Sequence, residues 1–356
     1  MNANDNKIYS CHNHTFTNNS VPNNFIPFIT RLLAKSKVSR WLGRFVNKIT
    51  PWSNNDIFDR FMTFLNIGNK DQLSIFQMMM GYYPAGTVFI DLPMDMAYMG
   101  AGKVRKNYTV QLEELAQIKT AYPDTFMPFV MVDPRRPMIK EILIDCVEIA
   151  GFSGIKLYPA LGYYPWDERL DPIYEYAQKK NLPVMSHCGI NGAVHARGKI
   201  DDLLTLEDRM RNKYKKKWNN FGEPTQYIKV LSKFPQLRIC LAHMGGTSEM
   251  ERYLNPTSDY NKDTWYNDIR EMIRTFPNNI FADVSYTMAN DRLLRVLDIL
   301  LDEKPFKNNV LYGSDYYMTV QEESEREFSM GLRSAIGLEK FRMISNTNAR
   351  RFLGIK

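Results

Sequence analysis

No stretch of the 356-residue chain approaches about 18 uncharged apolar residues, so the sequence offers no membrane-spanning helix. The start, MNANDNKIYS, has no apolar core of the kind a secretory signal needs. A cytoplasmic protein is expected. Cysteine is scarce: Cys11, Cys146, Cys188 and Cys240 are the full set, with neither CxxC spacing nor a disulfide-dense pattern, which fits a reducing compartment. There is no solenoid period, no low-complexity tract and no linker that would divide the chain, so a single domain over residues 1–356 is expected. The net charge of +7 comes without a recognised nucleic-acid module, so nucleic acid is not an expected partner. Histidine is nearly as rare as cysteine, with five in all.

Four of those five histidines fall at or beside the C-terminal ends of apolar runs. His12 and His14 form an HxH pair, and residues two apart on a strand face the same way, so both imidazoles can grip one cation. By itself such a pair is as often incidental as functional. The runs PVMSH, RICLAH and VLYGSD repeat the pattern, ending in His187, His243 and Asp315. Cys11 and Cys188 adjoin ligand positions, but strand neighbours face opposite sides, so both cysteines read as packing.

Apolar runs over residues 7–14, 87–92, 126–132, 154–158, 183–187, 238–243, 280–285 and 310–315 read as eight strands. Between them, residues 110–121, 138–150, 172–180, 225–234, 265–276 and 290–301 carry the i, i+3, i+4 spacing of amphipathic helices. With 44% apolar and 13% aromatic residues the chain can bury a large core. The alternation predicts an α/β fold, a (β/α)8 TIM barrel, whose functional groups gather at the C-terminal strand ends.

The segments GFSGIKLYP, LDPIYEYAQKKNLPVMSHCG, FPQLRICLAHMGG, NNIFADVS, NVLYGSDYY and NTNARRFLGI resemble, in that order, the amidohydrolase superfamily. More narrowly they resemble its amidohydrolase-related (amidohydrolase 2) branch, which includes aminocarboxymuconate-semialdehyde decarboxylase. The resemblance implies a metal-dependent barrel enzyme. It places His12, His14, His187 and Asp315 on the metal, and gives His243 and Asp315 catalytic roles. One divalent ion, zinc first, is the implied cofactor. A second arrangement stays open, in which a carboxylated Lys156 bridges two ions and His243 binds the second. Lys156 can instead meet a substrate carboxylate. Ser10 stands where Asp is common, and Tyr158 where many relatives have His, so Tyr158 joins Lys156 among expected substrate contacts. His195 reads as a rim histidine and Asp283 as structural.

Two helical insertions are expected, after strands one and five, at about residues 18–55 and 191–222. Residues 25–52 hold six basic side chains and no acidic one, and Val38, Trp41, Leu42, Phe45 and Ile49 form an apolar stripe beside Lys37, Arg40, Arg44 and Lys48. A cap on the barrel mouth or a subunit contact, as in a homodimer, is preferred over an anionic membrane surface. The second insertion carries Arg197, Arg209, Arg211 and the run KYKKK. Both emerge at the catalytic end, so a small anionic substrate is expected, with Arg197 as a carboxylate contact. The expected reaction is hydrolysis of an amide, ester or lactone by metal-activated water. Metal-dependent nonoxidative decarboxylation of an unsaturated or aromatic carboxylate is the alternative.

Overall fold

The computed structural model describes residues 7–25, 56–190, 192–195, 198, 200–255, 257 and 263–355. Its strands are β1 (Tyr9–Asn13), β2 (Val88–Asp91), β3 in two pieces (Phe126–Pro128 and Val130–Met131), β4 (Ile155–Leu157), β5 (Val184–Gly189), β6 (Ile239–Gly245), β7 (Ile280–Asp283) and β8 (Val310–Leu311). Neighbours in sequence pair in parallel throughout. Between its two pieces β3 changes partner: Phe129 N donates to Asp91 O of β2 at 2.9 Å and Val130 N to Gly154 O at 2.9 Å. Gly154 is required at that step, because a Cβ there would lie 2.5 Å from the Phe129 ring.

The sheet closes between its first and last strands. Cys11 N donates to Tyr312 O at 2.7 Å, Asp315 N to His12 O at 2.9 Å, and Asn13 bridges in parallel to Tyr316. Eight parallel strands with crossover helices therefore form the expected barrel. All six helices anticipated from apolar spacing are present, at Tyr108–Ala121, Ile139–Glu148, Asp171–Lys180, Gln226–Lys233, Trp265–Thr275 and Asp291–Leu300. Among the described residues no helix is long and apolar enough to cross a membrane.

Register explains which side chains enter the barrel. Lys156 pairs with Met185, Met185 with Cys240 and Cys240 with Phe281, so these four share the inner face. Their outward neighbours Ile155, Val184, Ile239 and Ile280 pack under the helices. Tyr9, Cys11, Ile90, Phe129 and Leu311 complete the inner apolar layer. Helix Asn348–Leu353 closes the floor with Ala349, Phe352 and Leu353, and the Phe352 ring lies 5.3 Å from that of Phe281. With the floor apolar and sealed, polar chemistry is confined to the opposite end.

The insertion after β5 is helical, with short turns at Ile200–Leu203, Leu206–Arg211 and Asn219–Gly222. Three of its cations are paired: Arg211 with Asp208 (2.9 Å) and Glu223 (3.0 Å), Lys213 with Glu223 (2.7 Å), and Lys217 with Asp201 (2.5 Å). The positive rim expected there is thus offset at these three cations. After β1, helices Asp56–Gly68 and Gln72–Met80 lead into β2. The basic stripe around Trp41 and Phe45 lies outside the described residues.

Candidate metal and catalytic centre

His12 lies within, and His14 just beyond, a break in the β1–β2 register between Ser10 and Asn13. Each donates its Nδ1 hydrogen to a fixed acceptor: His12 faces Asp283 Oδ2 at 2.7 Å and His14 faces Leu92 O at 2.6 Å. That arrangement leaves both Nε2 lone pairs for the centre, as metal-ligating imidazoles require. From the other side of the seam Asp315 brings Oδ1 to 3.1 Å from His14 Nε2 and 3.6 Å from His12 Nε2. Two backbone features permit this approach. Gly313 lies so close to β1 that a Cβ would sit 2.6 Å from His12 N, and Asp315 adopts a left-handed φ of 64°.

His243 also turns left-handed, at φ 69°, followed by Met244 at 49° and two glycines at 86° and 99°. This turn lifts its ring over the strand ends. Nε2 of His243 lies 3.0 Å from His187 Nδ1, and its ring centroid is 4.9 Å from that of His12. Donor atoms of His12, His243 and Asp315 all fall within 4.8 Å of one another. His14 joins through Asp315, and His187 through His243. The structure thus brings together all five of the strand-end residues singled out in the sequence.

All five are buried. His12 Nε2 is buried without a hydrogen-bond partner, a state that costs free energy unless something accepts its lone pair. Burial, reinforced by Lys156, His14 and His187, holds His12 well below the usual histidine range. Burial likewise lowers His243, with His187 and His12 adding to the effect. Burial raises Asp315, against the opposing effect of the His14 contact. Neutral imidazoles with inward lone pairs beside a carboxylate form a donor set suited to a divalent transition ion. A divalent ion fits this donor set, in which His12 and Asp315 of the expected ligands converge with His243, expected to act on substrate, while His14 and His187 stand next to them.

Lys156 is buried on the inner face, and burial pushes its amine down to about 8 despite the nearby Asp315 and Asp283. Tyr158 stacks on His187 with centroids 4.0 Å apart, and its hydroxyl accepts a hydrogen bond from Ala193 N at 2.8 Å. It walls the site and pins the loop after β5. Arg197 lies outside the described residues. His195 stays out of the cluster, with Nδ1 3.3 Å from Leu161 O. Asp283, read from sequence as structural, directly supports the centre: besides His12 it accepts His243 N at 2.8 Å and Ser285 Oγ at 2.5 Å. Ser285, Thr287 and Asp91 were not anticipated. Asp91 ends β2 fully buried with neither carboxyl oxygen hydrogen-bonded, and burial pushes its carboxyl up to about 8. The available signal was a polar side chain at the end of a buried apolar run, as in IFADVS and VFIDL.

A cavity of about 470 Å³ is lined among others by Met94, Tyr98, Lys103, Arg105 and Arg136, and none of the five strand-end residues lines it.

The family model described as amidohydrolase matches residues 80–355. No curated protein sequence matches the chain significantly. Solved structures share the fold. A 5-carboxyvanillate decarboxylase from Novosphingobium aromaticivorans, complexed with manganese and 4-hydroxy-3-methoxy-5-nitrobenzoic acid, is 14% identical with a TM-score of 0.57, covering 98% of this chain and 96% of that one. A 2,6-dihydroxybenzoate decarboxylase from Rhizobium is 15% identical with a TM-score of 0.57, covering 98% of each chain. A 4-oxalomesaconate hydratase from Rhodopseudomonas palustris is 16% identical with a TM-score of 0.53, covering 98% of this chain and 95% of that one.

Proposed function

Because the chain belongs to the amidohydrolase family, we propose that it is a metal-dependent carboxy-lyase that removes carbon dioxide from a small unsaturated or aromatic carboxylate. The observation that carries this reading is a buried amine, Lys156, on the inner face beside Asp315, whose carboxyl burial raises. A desolvated substrate carboxylate can pair with Lys156. Asp315 can hold the proton that the reacting carbon takes up as the C–C bond breaks, its electron pair remaining on that carbon. Carbon dioxide leaves and water reprotonates Asp315. A divalent ion held by His12, His14, His187 and Asp315 would polarise a substrate oxygen and so stabilise charge developing on the organic fragment. Tyr158 limits water at the His187 side. The relatives support this reading, since two of them are decarboxylases of aromatic acids.

Hydrolysis, the reading preferred from sequence alone, is second. It draws on His243, whose neutral ring can take a proton from attacking water. Zinc is the first choice of metal, and manganese, bound in one relative, is the second. The two reactions separate directly. Metal-loaded protein incubated with hydroxylated benzoates should release carbon dioxide in proportion to substrate consumed. Cleavage of lactones, esters or amides with no carbon dioxide from any carboxylate would overturn the proposal in favour of hydrolysis.

A further inference from the structure

The end of β7 and the short turn after it grip His243 three times. Asp283 Oδ1 accepts its backbone N–H at 2.8 Å, Thr287 Oγ1 donates to its carbonyl at 2.6 Å, and Ser285 Oγ lies 2.8 Å from its Nδ1. The hydroxyl of Ser285 also donates to Asp283 Oδ1, at 2.5 Å. A serine hydroxyl has one hydrogen to give. Asp283 takes it: the same carboxylate oxygen already accepts a backbone N–H, which can only donate, and its other oxygen faces His12 Nδ1 at 2.7 Å. If Ser285 turned its hydrogen toward His243 instead, two bare acceptor oxygens would be left 2.5 Å apart. Toward His243, then, Ser285 can only accept.

We infer that Ser285, anchored by Asp283, is a positioning residue that holds His243 as the Nδ1–H tautomer, so that its Nε2 lone pair faces His187 Nδ1, 3.0 Å away, and His187 is the donor between the two rings. The consequence for chemistry is specific: His243 enters the reaction as a proton acceptor or ligand through Nε2, and acts as an acid only after it has taken a proton there. His12 and His14 obey the same rule through different acceptors, Asp283 and the Leu92 carbonyl. What sets His243 apart is that its orienting group is a hydroxyl, able to donate or accept, whose direction is decided by a second residue. The role of His243 toward substrate rests on the function proposed above; its tautomer does not.

Nitrogen NMR of full-length protein with ¹⁵N-labelled histidine tests this, recorded as purified and again with zinc added. His243 is assigned by the signal lost in His243→Gln. The expected spectrum shows a protonated Nδ1 and an unprotonated Nε2, and the reverse pattern overturns the inference. In Ser285→Ala the tautomer preference should collapse, while kcat falls roughly 10- to 100-fold with KM within about twofold of the parent. Ser285→Thr, which keeps the hydroxyl, should restore both. A Ser285→Ala protein with the parent's nitrogen signature also overturns the inference. Should Ser285→Ala fail to fold, the parent and Ser285→Thr spectra decide it. Because the spectra need no substrate, an error in the proposed reaction would leave this result standing, and an inverted tautomer would leave the proposed reaction untouched.

Discussion

Replacing Glu325 by glutamine should remove a pH-dependent weakness from the folded protein. Glu325 opens helix Glu325–Arg342 and is 1% exposed, so its carboxyl is cut off from water. It contacts Tyr83, whose hydroxyl also lies 2.7 Å from that of Tyr312, and Thr319 Oγ1 at 3.5 Å. Burial raises it from 4.5 to about 7, outweighing hydrogen bonds from Ser314, Tyr83 and Thr319, with Asp315 adding to the rise. The sign follows from proton counting. Between 4.5 and about 7 the folded chain keeps a proton that the unfolded chain has released, so stability falls as pH rises through that window and is fully retained below it. At about 1.4 kcal/mol for each pH unit, the whole window is worth about 3 kcal/mol. With an unfolding entropy on the order of 0.7 kcal/mol per kelvin for a chain of this length, that is roughly 4 °C in Tm. Glutamine keeps the shape and the acceptor for Tyr83 but cannot ionise. Differential scanning calorimetry of parent and Glu325→Gln from pH 4.5 to 8 should show the variant gaining roughly 4 °C on the parent across the range. A difference that stays constant with pH would refute the reasoning.

Elemental analysis of purified protein should find about one equivalent of zinc or a similar ion, with His12→Ala and Asp315→Ala proteins losing it; unaltered binding in both would remove these residues from the metal site. His243→Ala should retain metal yet lose most turnover, whereas His187→Ala should lose both; in the two-ion arrangement, removing Lys156 or His243 would instead lower the content from two to one. Gly313→Ala forces a methyl to within 2.6 Å of His12 N, and urea denaturation should register a loss of roughly 1–3 kcal/mol together with weaker metal retention, while parent-like values in both would mean the seam yields without cost.

The barrel was legible because its strands are buried on both faces and so announce themselves as apolar runs. Strand ends were less so. Residues 310–315 read as a full strand, yet only Val310–Leu311 is regular, since Gly313 and the left-handed Asp315 leave the ladder to reach His12. Helices Asp56–Gly68 and Glu325–Arg342 went unassigned from apolar spacing, and the second carries a non-helical Gly337. Among site residues the histidines stood out because few side chains at strand ends offer a lone pair. Ser285 and Thr287 could not stand out in this way. Their role depends on His243 turning to a positive φ, and a serine two residues beyond a buried aspartate carries no periodic signal that distinguishes it from an ordinary turn. Of the cations taken for a positive rim, Arg211, Lys213 and Lys217 had partners that only the folded loop brings near.

The seam between β1 and β8 ties chemistry to the order of folding. His12 meets Asp283 across 271 residues of chain, and Tyr317 meets the Phe16 carbonyl across 301. The first strand made must therefore wait for the last before either closes, the kind of non-local pairing that slows folding. During that wait β1 presents unpaired backbone on one side. A cation bridging His12 and His14 to Asp315 would act at this joint, lending its binding energy to the closed barrel alone. The centre would then also be the clasp, and chelation would register first as faster amide exchange in β1 and β8, ahead of any change in the strands between them.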